Sequence, residues 1–413
     1  MGCFTVAGRK VGAGAPPLIV AEMSGNHNHS LERALQIVEA AAAAGAHALK
    51  IQTYTADTMT LDVNEGAFRI DDPDSLWAGK TLHRLYAEAA TPWEWHGPIF
   101  ERCRQLGLIG FSTPFDASAV DFLESLQVPL YKIASFELTD LPLIRRVAAT
   151  GKPILLSTGM ATVAEIDEAV RAARGAGCRH LVLLKCTSSY PASPASSHLR
   201  TIPHLLSMYG GGRPGAGGYG PEAGGDSLVG GDRAETKENP AASGEMAVQV
   251  GLSDHTLGIG VAVAAVALGA SVIEKHFTLS RADGGVDAAF SLEPAEMAAL
   301  AVETERAWQA LGHVHYGPLG GEATSLKHRR SLYVAADMRV GDRFTPENLR
   351  VIRPGDGLPP KYYDLLLGRP LTRHAAKGTP VTWELLLPET CEFTDQNEDP
   401  EKDDGKNPPR GDD

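Results

Sequence analysis

PILLSTGMATVAEIDEAVRAARGAGCRHLVLLK, residues 153–185, contains one full turn of the pattern that decides the fold. The apolar run 153–157 predicts a strand, 162–177 a helix ended by glycine, and 181–185 the next strand. Two strands joined through a helix lie parallel in one sheet. Outward from this unit the same alternation recurs. Strands are predicted at 18–22, 47–52, 108–112, 130–133, 248–252 and 271–276, and helices at 30–45, 93–107, 141–151 and 258–269. Ser30 stands where an N-cap belongs. Eight such units close most naturally into an α/β (β/α)8 TIM barrel, assigned to 1–290. An open doubly wound sheet is the competing arrangement, but no glycine fingerprint follows the first strand.

Two connections are long. Residues 53–92 hold Trp77, Pro73 and several acids, and read as a lid or elaborated loop. Residues 209–246 have 12 glycines and no Ile, Phe or Trp. Such a stretch cannot bury enough surface to offset its ordering entropy, so it reads as a disordered insertion. After a linker at 291–326, residues 327–388 change to short strand-like runs with glycine turns. Here Asp337, Gly341, Thr345, Glu347 and Leu349 return as His374, Gly378, Thr382, Glu384 and Leu386, offset by 37. That repeat predicts a small, mostly β domain. Residues 389–413 carry ten acids against three bases and read as a disordered acidic tail.

In 413 residues, 43% hydrophobic content allows a large core. The net charge of −13 excludes a basic nucleic-acid footprint. No apolar run approaches the roughly 20 residues of a membrane span. The five cysteines form no CxxC pair, which suits a reducing, cytoplasmic setting.

Catalytic groups of a barrel gather at the C-terminal ends of its strands. Here those ends carry Glu22, Lys50 with Gln52, Thr113, Lys132 with Ser135, Ser157, Thr187 with Ser188, Ser253 with His255, and Glu274 with His276. Residues two apart in a strand share a face, so Lys50 joins Gln52 and Glu274 joins His276. Buried lysines, glutamates and histidines need partners or a ligand, which points to an anionic, metal-associated substrate. The plainer alternative pairs the lysines with Glu22 and Glu274 and leaves the serines as helix caps. His255 and His276 end adjacent strands, about 5 Å apart, and could share one divalent ion. An oxygen-rich setting suits Mn²⁺, Mg²⁺ or Co²⁺ better than a closed zinc site. Cys186 reads as core, and His27 and His29 as loop residues near substrate. Asp283 and Asp287 flank Gly284 and Gly285, either as turn residues or on a loop over the mouth.

Taken together, Ala21-Glu22-Met23-Ser24-Gly25-Asn26-His27-Asn28, Lys50-Ile51-Gln52-Thr53, Phe111-Ser112-Thr113-Pro114-Phe115-Asp116 and Tyr131-Lys132-Ile133-Ala134-Ser135 resemble the sialic acid synthase family. Leu156-Ser157-Thr158-Gly159-Met160, Gly251-Leu252-Ser253-Asp254-His255-Thr256 and Ile273-Glu274-Lys275-His276-Phe277 extend the resemblance. Pro92-Trp93-Glu94-Trp95-His96 and Cys186-Thr187-Ser188-Ser189-Tyr190-Pro191 favour one bacterial branch; many sialic acid synthases have Asn in place of Ser188. The C-terminal part, with Arg353-Pro354-Gly355, is similar to the antifreeze-like (SAF, β-clip) domain. The resemblance implies condensation of phosphoenolpyruvate with an N-acetylated amino sugar to a nine-carbon 2-keto acid and phosphate. It implies a metal on His255 and His276, and phosphoenolpyruvate held by Lys50, Thr113, Lys132, Ser135, Ser157 and Ser253. Gln52, Phe115, Ser188, Tyr190 and Asp287 would complete the substrate-binding set, with Glu22 handling a proton or orienting metal-bound water. Arg353 would reach the partner chain's site in a domain-swapped homodimer. A non-catalytic sugar-binding barrel is the rival of a different class.

Overall fold

The computed structural model describes residues 3–73, 75, 77–210 and 246–386. The expected acidic tail lies outside them, as does the glycine-rich insertion apart from Tyr209, Gly210 and Met246. The chain divides into two compact units, Met1–Val314 and His315–Asp413.

Eight parallel strands close the first unit into a barrel. They are β1 (Leu18–Glu22), β2 (Ala48–Thr53), β3 (Ile109–Pro114), β4 (Tyr131–Ile133), β5 (Ile154–Ser157), β6 (His180–Cys186), β7 (Ala247–Asp254) and β8 (Val272–His276). Each pairs with the next, and β8 returns to β1 with His276 beside Glu22. Every predicted strand is present, with ends shifted by at most two residues. The helices around the barrel are α1 (Leu31–Ala43), α2 (Trp93–Gln105), α3 (Ala117–Ser125), α4 (Leu141–Ala148), α5 (Val163–Gly175), α6 (Thr201–Tyr209), α7 (Gly260–Ala267) and α8 (Pro294–Leu311), and two more, Ala56–Met59 and Leu82–Ala89, lie in the connection between β2 and α2. Ser30 caps α1 by accepting from the Arg33 amide at 3.2 Å. Within the span read as linker, α8 folds as a helix with Met297 and Leu300 fully buried in the barrel's outer core.

Strand parity sorts the core into two shells. Ile19, Ala21, Leu49, Ile51, Leu156 and Ile273 face the helices. Leu18, Val20, Ala48, Phe111, Leu155, Val182, Leu184 and Val272 fill the barrel. An N-terminal hairpin, Phe4–Val6 against Arg9–Val11, adds Phe4, Val6 and Val11 to that interior. The interior is therefore apolar at the strands' N-terminal ends, and the same inward parity turns polar at their C-terminal ends. Gly251 belongs to this inner row: a Cβ there would lie 2.5 Å from the Val272 carbonyl, so the close approach of β7 and β8 needs glycine.

In the second unit, β9 (Ser331–Val334) pairs antiparallel with β10 (Leu349–Ile352). The 37-residue repeat becomes a local two-fold. Gly341 donates to the Leu371 carbonyl and Gly378 to that of Val334, each at 2.8 Å. The repeat-equivalent Met338 and Ala375 exchange both backbone hydrogen bonds. The core repeats likewise, with Val334 and Leu371, Met338 and Ala375, and Phe344 and Val381 all buried. Both glycines have positive φ, 89° and 91°, which explains why the repeat keeps them.

Candidate active site

The polar ends of the inward rows line a cavity of about 410 Å³ at the C-terminal mouth. Parity places Lys50 and Gln52 together, and Glu274 with His276, as the alternation requires. Glu22, Lys132, Ser157 and Ser253 complete this charged floor. Lys50 Nζ lies 2.8 Å from Glu22 Oε2 and 3.9 Å from Glu274 Oε1, and donates to Thr113 Oγ1 at 3.2 Å. Lys132 Nζ approaches the same Glu274 oxygen at 3.6 Å. Two buried ammonium groups thus share one carboxylate. The plainer expectation of lysine–glutamate pairs is met as well, but the pairs lie inside a cavity rather than a filled core.

Burial raises the pKa of Glu22; Lys50 pulls it down, Glu274 pushes it up, and the net direction is upward. Burial acts on Glu274 too, but Lys132, Lys50 and a 3.1 Å hydrogen bond from Ser253 Oγ hold it below the usual range. Two carboxyls on paired strands are therefore driven apart, an arrangement suited to separate proton roles. Burial also depresses Lys132, whereas on Lys50 the attraction of Glu22 and Glu274 outweighs burial and raises it.

The rings of His255 and His276 lie 5.3 Å apart. His255 Nδ1 donates to the Thr187 carbonyl at 2.9 Å, leaving Nε2 as its available ligand atom. His276 Nδ1 is buried without a hydrogen-bond partner, 3.7 Å from Asp287 Oδ2. Burial and the neighbouring His255 hold His276 well below the usual imidazole range, whereas Cys186 and the Thr187 carbonyl outweigh burial and raise His255; a metal would need both rings neutral. Among the described residues no group of three or more His, Cys, Asp or Glu side chains forms a metal cage. These two imidazoles could supply two ligands to a divalent ion and would leave its remaining positions to other donors. Ser157 Oγ and Glu274 Oε2 are further buried atoms with no hydrogen-bond partner, a pattern that calls for a polar ligand.

Asp287 sits on the loop after β8 and accepts from Ser24 Oγ; burial raises its pKa. Gln52 donates to Glu22 Oε1 at 2.9 Å and to Ser24 Oγ at 3.1 Å, joining this corner to the floor. Ser24 reaches it from a left-handed backbone, φ 47°, uncommon for a non-glycine residue. Ser135 and Ser188 converge on Gly159. A Cβ at Gly159 would sit 2.7 Å and 2.3 Å from their Oγ atoms, and the Gly159 amide donates to Ser135 Oγ at 3.1 Å. The Tyr190 ring lies 4.5 Å from His255, and Phe115 lines the wall edge-on to Tyr54. Arg353 belongs to the second unit, exposed just beyond β10.

Three features of this site run against the sequence reading or escape it. Cys186 is buried, as a core residue would be, but it also lines the cavity, with Sγ 3.9 Å from His255 Nδ1. Burial alone would raise its thiol, but His255, Ser135 and Lys132 bring it down to about 7. Its parity with Val182 and Leu184 was the available signal. Glu137, on the turn after β4, also lines the cavity, and burial lifts its carboxyl to about 7. No strand periodicity reaches that turn. His27 points away from this role, fully buried and bonded to Thr91 Oγ1 at 3.1 Å. Of the two roles left open for Asp283, the turn residue holds: it pairs with Arg33 at 2.9 Å and does not line the cavity.

The model of the NeuB family matches residues 37–219 and 240–316, and that of the SAF domain residues 329–387. The chain is 36% identical to a pseudaminic acid synthase of Helicobacter pylori over 370 residues, covering 89% of this chain and 97% of the relative. It is 32% identical to an N,N'-diacetyllegionaminic acid synthase of Legionella pneumophila over 373 residues, covering 89% and 93%. Among solved structures, the N-acetylneuraminic acid (sialic acid) synthetase of Leptospira borgpetersenii, in complex with citrate, superposes with a TM-score of 0.62. That pair is 28% identical, and the match covers 79% of this chain and 96% of the other.

Proposed function

The chain belongs to the NeuB family of sugar-acid synthases, and we propose from that premise that it makes pseudaminic acid. The reaction joins phosphoenolpyruvate to 2,4-diacetamido-2,4,6-trideoxy-L-altrose and water, giving the nine-carbon 2-keto acid and phosphate. The observation that carries the phosphoenolpyruvate half of this reading is the pair of buried lysines sharing Glu274 inside the cavity, with the Ser157 hydroxyl left without a partner, and the sugar half rests on the 36% identity to a pseudaminic acid synthase. Phosphoenolpyruvate brings the phosphate and carboxylate charge that such a floor lacks.

Lys50 and Lys132 neutralise the phosphate and carboxylate, while Ser135, Ser157, Ser253 and Thr113 orient them. His255 and His276 would hold a divalent ion, Mn²⁺ for preference with Mg²⁺ or Co²⁺ as alternatives. Bound there, it would act as a Lewis acid toward the sugar aldehyde. Gln52, Tyr190 and Asp287 position that aldehyde so that the enol C3 forms the new carbon–carbon bond to C1. Glu22, the carboxyl held high, is placed to deliver the proton to the new hydroxyl. Glu274, the carboxyl held low, takes a proton from the water that adds at C2. Loss of inorganic phosphate from the resulting adduct leaves the ketone. Arg353, exposed in the SAF domain, is proposed to enter the site of a second chain in a homodimer, contributing a bidentate donor to the acceptor. A cytoplasmic location fits this biosynthetic role, and no helix among the described residues is long and apolar enough to cross a membrane.

The test is phosphate release from phosphoenolpyruvate with purified protein, Mn²⁺ and a panel of N-acetylated aldoses, repeated after chelation. Release dependent on the altrose derivative supports the assignment. Preference for a legionaminate or neuraminate precursor moves it within the family, since a relative of that specificity is nearly as similar. No release with any sugar leaves the non-catalytic binding barrel. Release unaffected by chelation removes the metal.

A further inference from the structure

The cavity has two unlike walls. Strand ends supply the charged one. The other comes from the connection between β2 and α2, which contributes Met59, Ile70, Leu82, Leu85 and Tyr86. Leu85 is buried, and the rest are half-buried. None of the four aliphatic side chains joins the barrel's core clusters. They face the cavity instead, although the fold does not require their apolar character there. The connection is tied across the mouth: Trp77 Nε1 donates to the Val286 carbonyl at 3.1 Å, one residue before Asp287. The Tyr54 ring meets Tyr86 edge-on at 6.0 Å and Phe115 at 5.1 Å, continuing this wall toward β3. The wall's polar groups include the Tyr54 and Tyr86 hydroxyls, and the charge of Glu137 acts on Tyr86.

Apolar side chains that line a cavity gain burial only when something apolar enters it. A sugar covered in hydroxyls offers nothing of the kind, and a hydroxyl pressed against leucine and isoleucine loses its water without replacement. Building on the condensation proposed above, we propose that Met59, Ile70, Leu82 and Leu85 form a methyl-binding subsite for the acceptor sugar. It takes the C6 methyl of a deoxysugar and the methyl ends of its N-acyl groups, and so selects against the same sugar hydroxylated at C6. The discrimination is bounded. A hydrophobic pocket rejects an added hydroxyl by about 100-fold, because the extra group still finds partial solvation.

The experiment compares kcat/KM for 2,4-diacetamido-2,4,6-trideoxy-altrose and its 6-hydroxy counterpart, using the full chain, phosphoenolpyruvate and Mn²⁺. The wild-type protein should prefer the deoxysugar by roughly 10- to 100-fold. Leu82→Asn and Ile70→Thr should each shrink that ratio about tenfold, through KM for the deoxysugar, with KM for phosphoenolpyruvate within about twofold. Both positions are half-buried, and a melting curve confirms that each variant is folded. Equal rates for the two sugars in the wild type overturn the subsite while leaving the synthase intact. An unchanged ratio in a folded variant overturns it too. If no aldose supports phosphate release, the condensation itself falls, and this subsite with it.

Discussion

Buried lysines of the barrel are finished differently from place to place: Lys185 on β6 donates to the Cys186 carbonyl at 3.0 Å and to Thr187 Oγ1 at 2.6 Å, and the sharper contrast is between β8 and the mouth. On the outer side of β8, Lys275 is fully enclosed. Its Nζ donates to Asp254 Oδ2 at 3.0 Å, to the Gly258 carbonyl at 2.9 Å and to that of Thr256. An ammonium group has three protons, and all three are placed. At the mouth, Lys50 and Lys132 are almost as deeply buried; Lys50 has Glu22 and Thr113 beside it, whereas Lys132 has a 3.6 Å approach to the Glu274 oxygen that Lys50 also nears. Beside them the Ser157 hydroxyl and His276 Nδ1 have no partner. A buried charge with a complete partner set holds structure, here clamping the loop that presents His255 against the strand that presents His276. A buried charge with an incomplete set anticipates a ligand.

The comparison breaks most visibly at Lys132. Lys132→Met should cut kcat/KM by about 10⁴, or about 5.5 kcal/mol of transition-state stabilisation, because the substrate's negative charge loses a fixed counter-charge. Stability should change by less than about 1 kcal/mol, since Glu274 keeps Lys50 and Ser253 as partners. Steady-state kinetics beside a urea melt reads both. A large stability loss would make Lys132 a structural lysine like Lys275.

At Lys275 the expected signs reverse. Lys275→Met strands Asp254 as a buried, unpaired carboxylate and should destabilise by about 3 to 5 kcal/mol. Asp254→Asn in the same chain should recover part of that loss, because the stranded charge is gone. Failure of the second substitution to recover anything would mean that the lysine's packing, not its charge, holds the loop.

Glu137 sharpens the contrast through pH. Its carboxyl is raised to about 7 by burial, from 4.5. The native state therefore binds a proton that the unfolded chain has already lost. Stability from this group is full below about pH 4.5 and falls as pH rises through about 7, by about 2 kcal/mol after allowing for partial solvent access. Glu137→Gln should raise the melting temperature at pH 8 and leave it nearly unchanged at pH 4.5. Equal shifts at both pH values would assign the effect to packing.

How much of this could be read beforehand follows from periodicity. Lys50, Gln52, Glu274 and His276 were legible because parity along a strand fixes which side chains share a face, and eight parallel strands leave one face for chemistry. The pseudo-symmetric second unit was legible because Gly341 and Gly378 recur at one spacing. Cys186 obeyed the same parity, yet its chemistry depends on His255, which lies 69 residues away in sequence. Glu137 sits on a short turn, and the apolar wall from Met59 to Tyr86 on short helices and loops between β2 and α2. There, tertiary contact alone decides which side chains meet the cavity. The completeness of the Lys275 clamp was equally hidden, since two of its acceptors are backbone carbonyls and carry no sequence signal.

The smallest effect expected is from the connection before β7. The family match leaves 220–239 uncovered, and those residues hold Leu228 and Val229 but no Ile, Met, Phe, Tyr or Trp, too little apolar surface to support a core. Strand β7 is positioned by other means. It pairs with β6 from Ala247 to Ser253 and with β8 from Leu252 to Asp254, and the Lys275 clamp fixes the loop beyond it. Deleting 220–239 roughly halves the connection, which changes its closure cost by only about 0.6 kcal/mol. Activity should remain within about twofold and the urea midpoint should barely move or rise slightly. If the deletion instead weakened the protein as much as Lys275→Met, the register of β7 would depend on the segment before it. The clamp would then be holding the loop without fixing the strand, and the two classes of buried lysine would no longer separate by completeness of partners alone.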